Sequence, residues 1–228
     1  MDFSFILDSY YLLILLRGFT VTIVLALLAV LLGSIFAIIP TLLRYSKVKI
    51  LKWLGTSYVE LIRGTPLLVQ VLLVYSFFRL PIINFLGIDL ASFIPGMIAL
   101  LINSSAYVSE IMRGGINSVD KGQKEGALSL GMNKYQTAIH VIIPQAVKNS
   151  LPSLGNEFIS IIKETSIFMY LGVAELMYSA QIVRASTFLI KEVYIVTALM
   201  YFILTFTTSK LIKLLEKRLN LTKKVLSL

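Results

Sequence analysis

The chain has 228 residues, 57% of them hydrophobic and only 14% charged, with a formal charge of +9 and a mean hydropathy of +0.85. A soluble domain is about one-quarter charged, and several apolar runs here reach the ~20 residues that cross a bilayer, so a water-soluble globule is excluded in favour of an all-α integral membrane protein. Having no cysteine excludes disulfides, Cys-ligated zinc and iron–sulfur centres, and the positive charge, which in a soluble chain points to nucleic acid, here reads as loop topology with no nucleic-acid partner.

Met1–Tyr11 is short, carries Asp2 and Asp8, and lacks the basic start of a cleavable signal. Gly18–Leu43 is the first predicted span, with Arg17 at its outer edge. Arg44, Lys47, Lys49 and Lys52 follow at once. Cytoplasmic loops collect Lys and Arg, so this end is expected inside and the N-terminus outside, with no extracytoplasmic domain fused to it. Trp53–Phe78 contains the second span, where Pro66 suits a helix start or a kink. Arg79, Pro81 and Asn84 to Asp89 form a short outer loop with a turn at Gly87.

Ser92–Met112 is the third span, ended by Arg113-Gly114-Gly115. A polar interval runs on to Asn149. Leu151–Val173 is the fourth span and the most polar, Glu175–Val193 a mixed outer segment, and Tyr194–Leu211 the fifth span. The tail adds Lys210, Lys213, Lys217, Arg218, Lys223 and Lys224. On this map only Arg17, Arg79, Lys163, Arg184 and Lys191 fall away from the inner side. The bias predicts five transmembrane helices, N-terminus out and C-terminus in. No tandem repeat breaks the chain, so residues 1–228 read as one domain.

Ionisable side chains at bilayer depth cost ~2.5–3.5 kcal/mol each on insertion scales, so they face a cavity or a partner. In the fourth span Ser153, Glu157, Ser160 and Glu164 share one helical stripe, and Asn156, Ser160 and Lys163 a second one about 100° round. The third span offers Asn103, Tyr107 and Glu110 on one face, and Arg63 and Gln70 share a face in the second. An α-amino acid needs an anion partner, a cation partner and hydrogen bonds. Lys163 suits its carboxylate, and Glu164 its ammonium or a basic side chain. The same charges also suit pairing with each other, with Arg63 or with Glu110, holding helices together. Glu157 reads as structural or part of a gate. No His, Asp and Glu cluster has metal spacing, and no serine has a histidine beside it, so neither a metal nor a catalytic site is expected. There is no G-x4-G-K-[ST] phosphate loop either.

In the polar interval, Gln123–Leu130 is good helix material, Gly131 breaks it, and Asn133 caps a second short helix. Ala138, Val141 and Ile142 give that helix an apolar face, and Pro144 is expected to end or kink it. A lysine-flanked apolar knob of this kind fits a groove on another protein or lies on anionic lipid.

Lys121 to Pro152 carries Glu125, Ala127, Gly131, Val141, Ile143 and Pro144 in the register E-x-A-x3-G-x9-V-x-I-P. This resembles the cytoplasmic EAA loop of the membrane subunits of ABC importers, E-A-A-x3-G-x9-I-x-L-P. The likeness extends to SYVELIRGTPLLVQ (57–70), NSSAYVSEIMRGGINSVDKGQKEGA (103–127) and IIPQAVKNSLPSLGNEFISIIKETS (142–166), which look like the polar amino-acid permease branch. Gly126 replaces the first alanine of the triplet, and Val141/Ile143 the Ile/Leu pair.

The resemblance implies a type I importer transmembrane domain with its coupling loop at about 113–150. It implies a dimer with a second permease copy or a paralogue. It also implies cytoplasmic ATPase subunits that bind the ATP and magnesium, and an extracytoplasmic amino-acid-binding protein. The home is then the prokaryotic cytoplasmic membrane, with lipid around it and no cofactor in this chain. Glu125, Ala127, Gly131, Ile143 and Pro144 are implied to couple to the ATPase. Asn103, Ser104, Tyr107, Ser160 and Glu164, with Lys163 beside them, are the substrate candidates. The acid at Glu164 leans the cargo toward arginine, histidine or glutamine. The alternatives are a type I permease for another solute, such as methionine or an oxoanion, and a self-contained secondary transporter, which calls for inverted repeats that are not seen.

Overall fold

The computed structural model describes residues 1–78, 80–81, 83–85 and 88–219. Arg79, the expected turn at Gly87, and the tail lysines Lys223 and Lys224 lie outside the described residues.

Helix α1 runs Ser9–Phe36 and α2 runs Ile38–Arg44, together one apolar span of 36 residues. It starts well before Gly18, because the Asp8 side chain caps it by accepting from the Tyr10 amide at 2.8 Å. The break at Ala37 has a cause in Pro40, whose ring lacks an N–H and crowds the carbonyl four residues back. The second span is broken more sharply. Helix α3 (Lys49–Arg63) and α4 (Leu67–Phe77) meet at 107°, with Pro66 as the cap of α4. Pro66 therefore both starts a helix and turns the chain. A two-residue antiparallel pair, Asn84–Phe85 with Ile88–Asp89, leads into α5 (Leu90–Asn117).

Helix α5 is the post against which α1, α2, α3, α4 and later α8 pack. Small residues allow the approach. A Cβ on Gly33 of α1 would stand 2.4 Å from the Ser104 hydroxyl, and one on Gly115 would stand 2.0 Å from the Ser150 hydroxyl.

Helix α6 (Lys121–Ser129) follows, then Gly131 at φ +86°, then α7 (Lys134–Thr137) behind a reciprocal Asn133/Gln136 capping box. Of the two outcomes expected at Pro144, an end or a kink, the second short helix does not take the first. The backbone widens into a π-turn at Ala138–Ile142 and continues as α8 (Ile143–Glu164). The wider turn accommodates Pro144, and the Ile143 amide donates to Ala138. A tight 3₁₀ segment, Thr165–Leu171, ends at Gly172 with φ +77°. Helix α9 (Leu176–Thr187) is bent 52° from this span, and α10 (Ile190–Arg218) closes the chain. Among the described residues three helical stretches are long and apolar enough to cross a membrane, or up to five if each bent pair is one span.

Candidate functional site

At the middle of α5, Asn103 is buried and donates to the Gln70 side chain at 3.0 Å. The Gln70 amide in turn donates to the Ile62 carbonyl at 2.7 Å and to Thr65. Those acceptors belong to the α3–α4 elbow, where the helical ladder stops and carbonyls need outside partners. Asn103 and Gln70 thus pin the elbow to the post. Ser104 is fully buried, turned toward α1 against Gly33, and its hydroxyl has no hydrogen-bond partner among the described residues. Tyr107 is half-buried, with the Arg63 guanidinium 5.2 Å above its ring.

One turn below, Glu110 collects three cations. Arg44 of α2 donates to it at 2.6 Å, Arg113 pairs with its other oxygen, and Arg63 stands 3.9 Å away. The cluster ties α2, α3 and α5 together near their C-terminal ends. In the sequence Arg44 stands only as one of the loop cations, with Lys47, Lys49 and Lys52. The i, i+3 spacing of Glu110 and Arg113 was the available clue.

On α8, Glu157 is buried, while Ser160 and Glu164 are half-buried. One Glu164 oxygen is sealed from solvent without a partner. Arg63 lies close enough to Glu157 for their charges to interact, and so does Glu164. Among the described residues no ion pair reaches Glu157 or Glu164, although Lys163 lies close enough for its charge to act on Glu164; of the two roles open to these charges, direct pairing with Lys163, Arg63 or Glu110 is not seen, and Glu110 pairs with the arginines instead. Lys163 is exposed on the neighbouring face. The structure thus sets Arg63, over Tyr107, near Glu157 of α8, and turns Ser104 into the packing surface against α1.

Glu175 was read as the start of an outer segment. It is fully buried and caps α9, accepting from the amides of Met177 and Tyr178 at 2.9 and 2.7 Å and from the Tyr201 hydroxyl at 3.0 Å. Glutamate is not a usual cap, so its burial left no sequence signal.

The polar interval presents a separate surface. Ala127 is buried, whereas Glu125, Gly131, Ile143 and Pro144 are exposed. Leu130 and Tyr135 flank the Gly131 turn at 86% and 74% exposure, with Lys121, Lys124 and Lys134 around them. An apolar knob so bare suits insertion into a partner's groove. No group of three or more potential metal ligands occurs among the described residues.

The model of the family of binding-protein-dependent transport system inner membrane components matches residues 29–221. The chain belongs to that family. It is a multi-pass membrane permease component of an ABC importer, and not the part that hydrolyses ATP. A Bacillus subtilis protein named as a probable glutamine ABC transporter permease is 38% identical, over 96% of this chain and 99% of its own length. An L-cystine transport permease of the same organism is 42% identical over 89% of this chain and 85% of its own. The crystal structure of an amino acid ABC transporter with histidines superimposes with a TM-score of 0.85 at 43% identity, over 96% of this chain and all of that one.

Proposed function

We propose that this permease carries polar amino acids across the prokaryotic cytoplasmic membrane, through a path lined by α5 and α8. It works as a dimer with a second copy or a paralogue, each chain one domain of five spans, N-terminus out and C-terminus in. An extracytoplasmic receptor delivers the substrate. Cytoplasmic ATPase subunits grip the Lys121–Pro152 loop through Glu125, Ala127, Gly131, Ile143 and Pro144.

The observation that carries this reading is Glu164, one oxygen of which is buried without a hydrogen-bond partner among the described residues, on the same stripe as Ser160 and Glu157, with Arg63 close enough to Glu157 for their charges to interact. A carboxylate at bilayer depth without a partner calls for a cation that comes and goes. The ammonium or basic side chain of an amino acid supplies one, and Arg63 or Lys163 meets the carboxylate. Asn103 and Ser104 serve the site by holding helices, through Gln70 and Gly33 respectively. The relatives' glutamine and cystine names, and the histidine-bound structure, support polar amino acids as the cargo class.

The test is ATP-dependent uptake in liposomes holding the complete complex, with labelled arginine, histidine, glutamine and cystine. Uptake of one of them that stops without the ATPase is expected. Binding of none by the receptor overturns the cargo class, and accumulation by this chain alone overturns the mechanism.

A further inference from the structure

Helix α8 turns a polar face outward. At about 100° per residue, Asn149, Ser153, Asn156, Ser160 and Lys163 fall within an arc of about 80°. Ser160 is half-buried and the other four are exposed. The opposite side of the helix carries Phe158, Ile161 and Ile162, which pack into the core. Among the described residues only the Asn149 side chain of these five finds a hydrogen-bond partner, Ser118 at 2.8 Å.

Such a face cannot lie against hydrocarbon, where every polar group must find a partner. The outward faces of α1 and α10 are different. They present Leu31, Ile35, Leu199, Phe202 and Ile203, which match the apolarity of lipid tails.

The chemistry of the arc says what covers it. Two chains related by a two-fold axis along the membrane normal set α8 beside a parallel α8, and a residue near the axis meets its own copy. Only a group that both donates and accepts can bond to itself. Hydroxyls and carboxamides do; an ammonium, with donors alone, does not. Ser153, Asn156 and Ser160 are self-complementary in this sense, and their short side chains let two backbones approach. Lys163 is not, and two of them repel at close range.

We propose that this arc of α8 is the face on which a second copy of this chain docks, an inference that rests on the dimer proposed above. The two helices touch at Ser153 and Asn156 and part toward Lys163. The two ammonium groups then stand across a wet gap, one from each chain, so each copy lends a cation to the common path.

The chain has no cysteine, so single cysteines report contacts cleanly. The test places them one at a time in the assembled permease–ATPase complex and oxidises it mildly. A disulfide needs Cα atoms within about 7 Å. Ser153→Cys and Asn156→Cys are each expected to shift the permease to a dimer band on a non-reducing gel, and Phe202→Cys to give none. Lys163→Cys is expected to link only through a longer bismaleimide. Linking by Phe202→Cys in place of both α8 positions moves the interface to α10 and overturns the docking face. Direct linking by Lys163→Cys as readily as by Asn156→Cys overturns the parting of the helices. The mass of the complex separates this face from the wider reading. Two copies with no link through α8 refute the face alone, and one copy removes the dimer itself. None of these readouts depends on which solute is carried.

Discussion

Asn103 donates to Gln70 at 3.0 Å, and Gln70 passes that anchorage on to the carbonyls of Ile62 and Thr65. The bend between α3 and α4 is thereby held by α5. Interhelical hydrogen bonds in membranes average ~0.6 kcal/mol and reach ~1.7. Asn103→Ala and Gln70→Ala are expected to show coupling in that range in a double-mutant cycle, read by unfolding in denaturing detergent. Strict additivity would remove the anchor.

Glu110 is the shared anion of Arg44, Arg63 and Arg113. Glu110→Gln leaves Arg44, only 13% exposed, without a counter-charge. The cost is expected at ~1–3 kcal/mol, well below that of a fully buried pair because water still reaches the cluster. Arg63→Gln is expected to cost under ~1 kcal/mol, since its side chain is 42% exposed. Thermal unfolding of the purified complex checks the order of the two, and a larger loss for Arg63→Gln contradicts it.

Ser104 has a buried hydroxyl that bonds to nothing among the described residues and lies against Gly33. Ser104→Ala is expected to leave uptake kinetics unchanged and stability equal or higher. Gly33→Ala, whose new methyl meets that side chain, is expected to lose ~1–3 kcal/mol. A rise in KM for Ser104→Ala would return this residue to the substrate site.

Gly131 has φ +86° and open space where a Cβ would go. Gly131→Ala therefore strains only the backbone, by ~1–2 kcal/mol, and Gly131→Asn less. Reduced co-purification of the ATPase is expected in the order Ala before Asn. Glu125→Lys is expected to abolish it. Full retention by both would separate the turn from docking.

Glu164→Gln is expected to slow uptake of a cationic amino acid at least about tenfold, ~1.4 kcal/mol, while the complex still assembles. Glu164→Asp restores part of the rate if charge is what counts. Unaltered kinetics would take Glu164 out of the path.

The sequence told these stories unevenly. The apolar runs and the stripe of Glu157, Ser160 and Glu164 follow from composition and helical period alone, and α5 and α8 carry them as expected. Turn chemistry was equally readable at Gly131 and Asn133, because both act on their own neighbours. The misses are long-range. Nothing in the spacing of Arg44 says that it crosses to Glu110, and Glu175 is buried only because α1 and α10 close over it. At Pro144, where an end or a kink was expected, the helix does not end, for a different reason. A proline forbids one hydrogen bond, and the chain here found a wider turn that does without it.

That wider turn has a consequence for how force travels. From Lys134 to Glu164 the backbone is one uninterrupted rod, roughly 45 Å at 1.5 Å per residue. Its inner tip lies beside the Leu130 and Tyr135 knob, and its far end bears Glu157 and Glu164. A tilt imposed at the tip arrives at the carboxylates as a sweep of several ångströms, with no loop in between to absorb it. On the proposed mechanism, a pull by the ATPase at one end and the release of cargo at the other are then a single stroke of one lever.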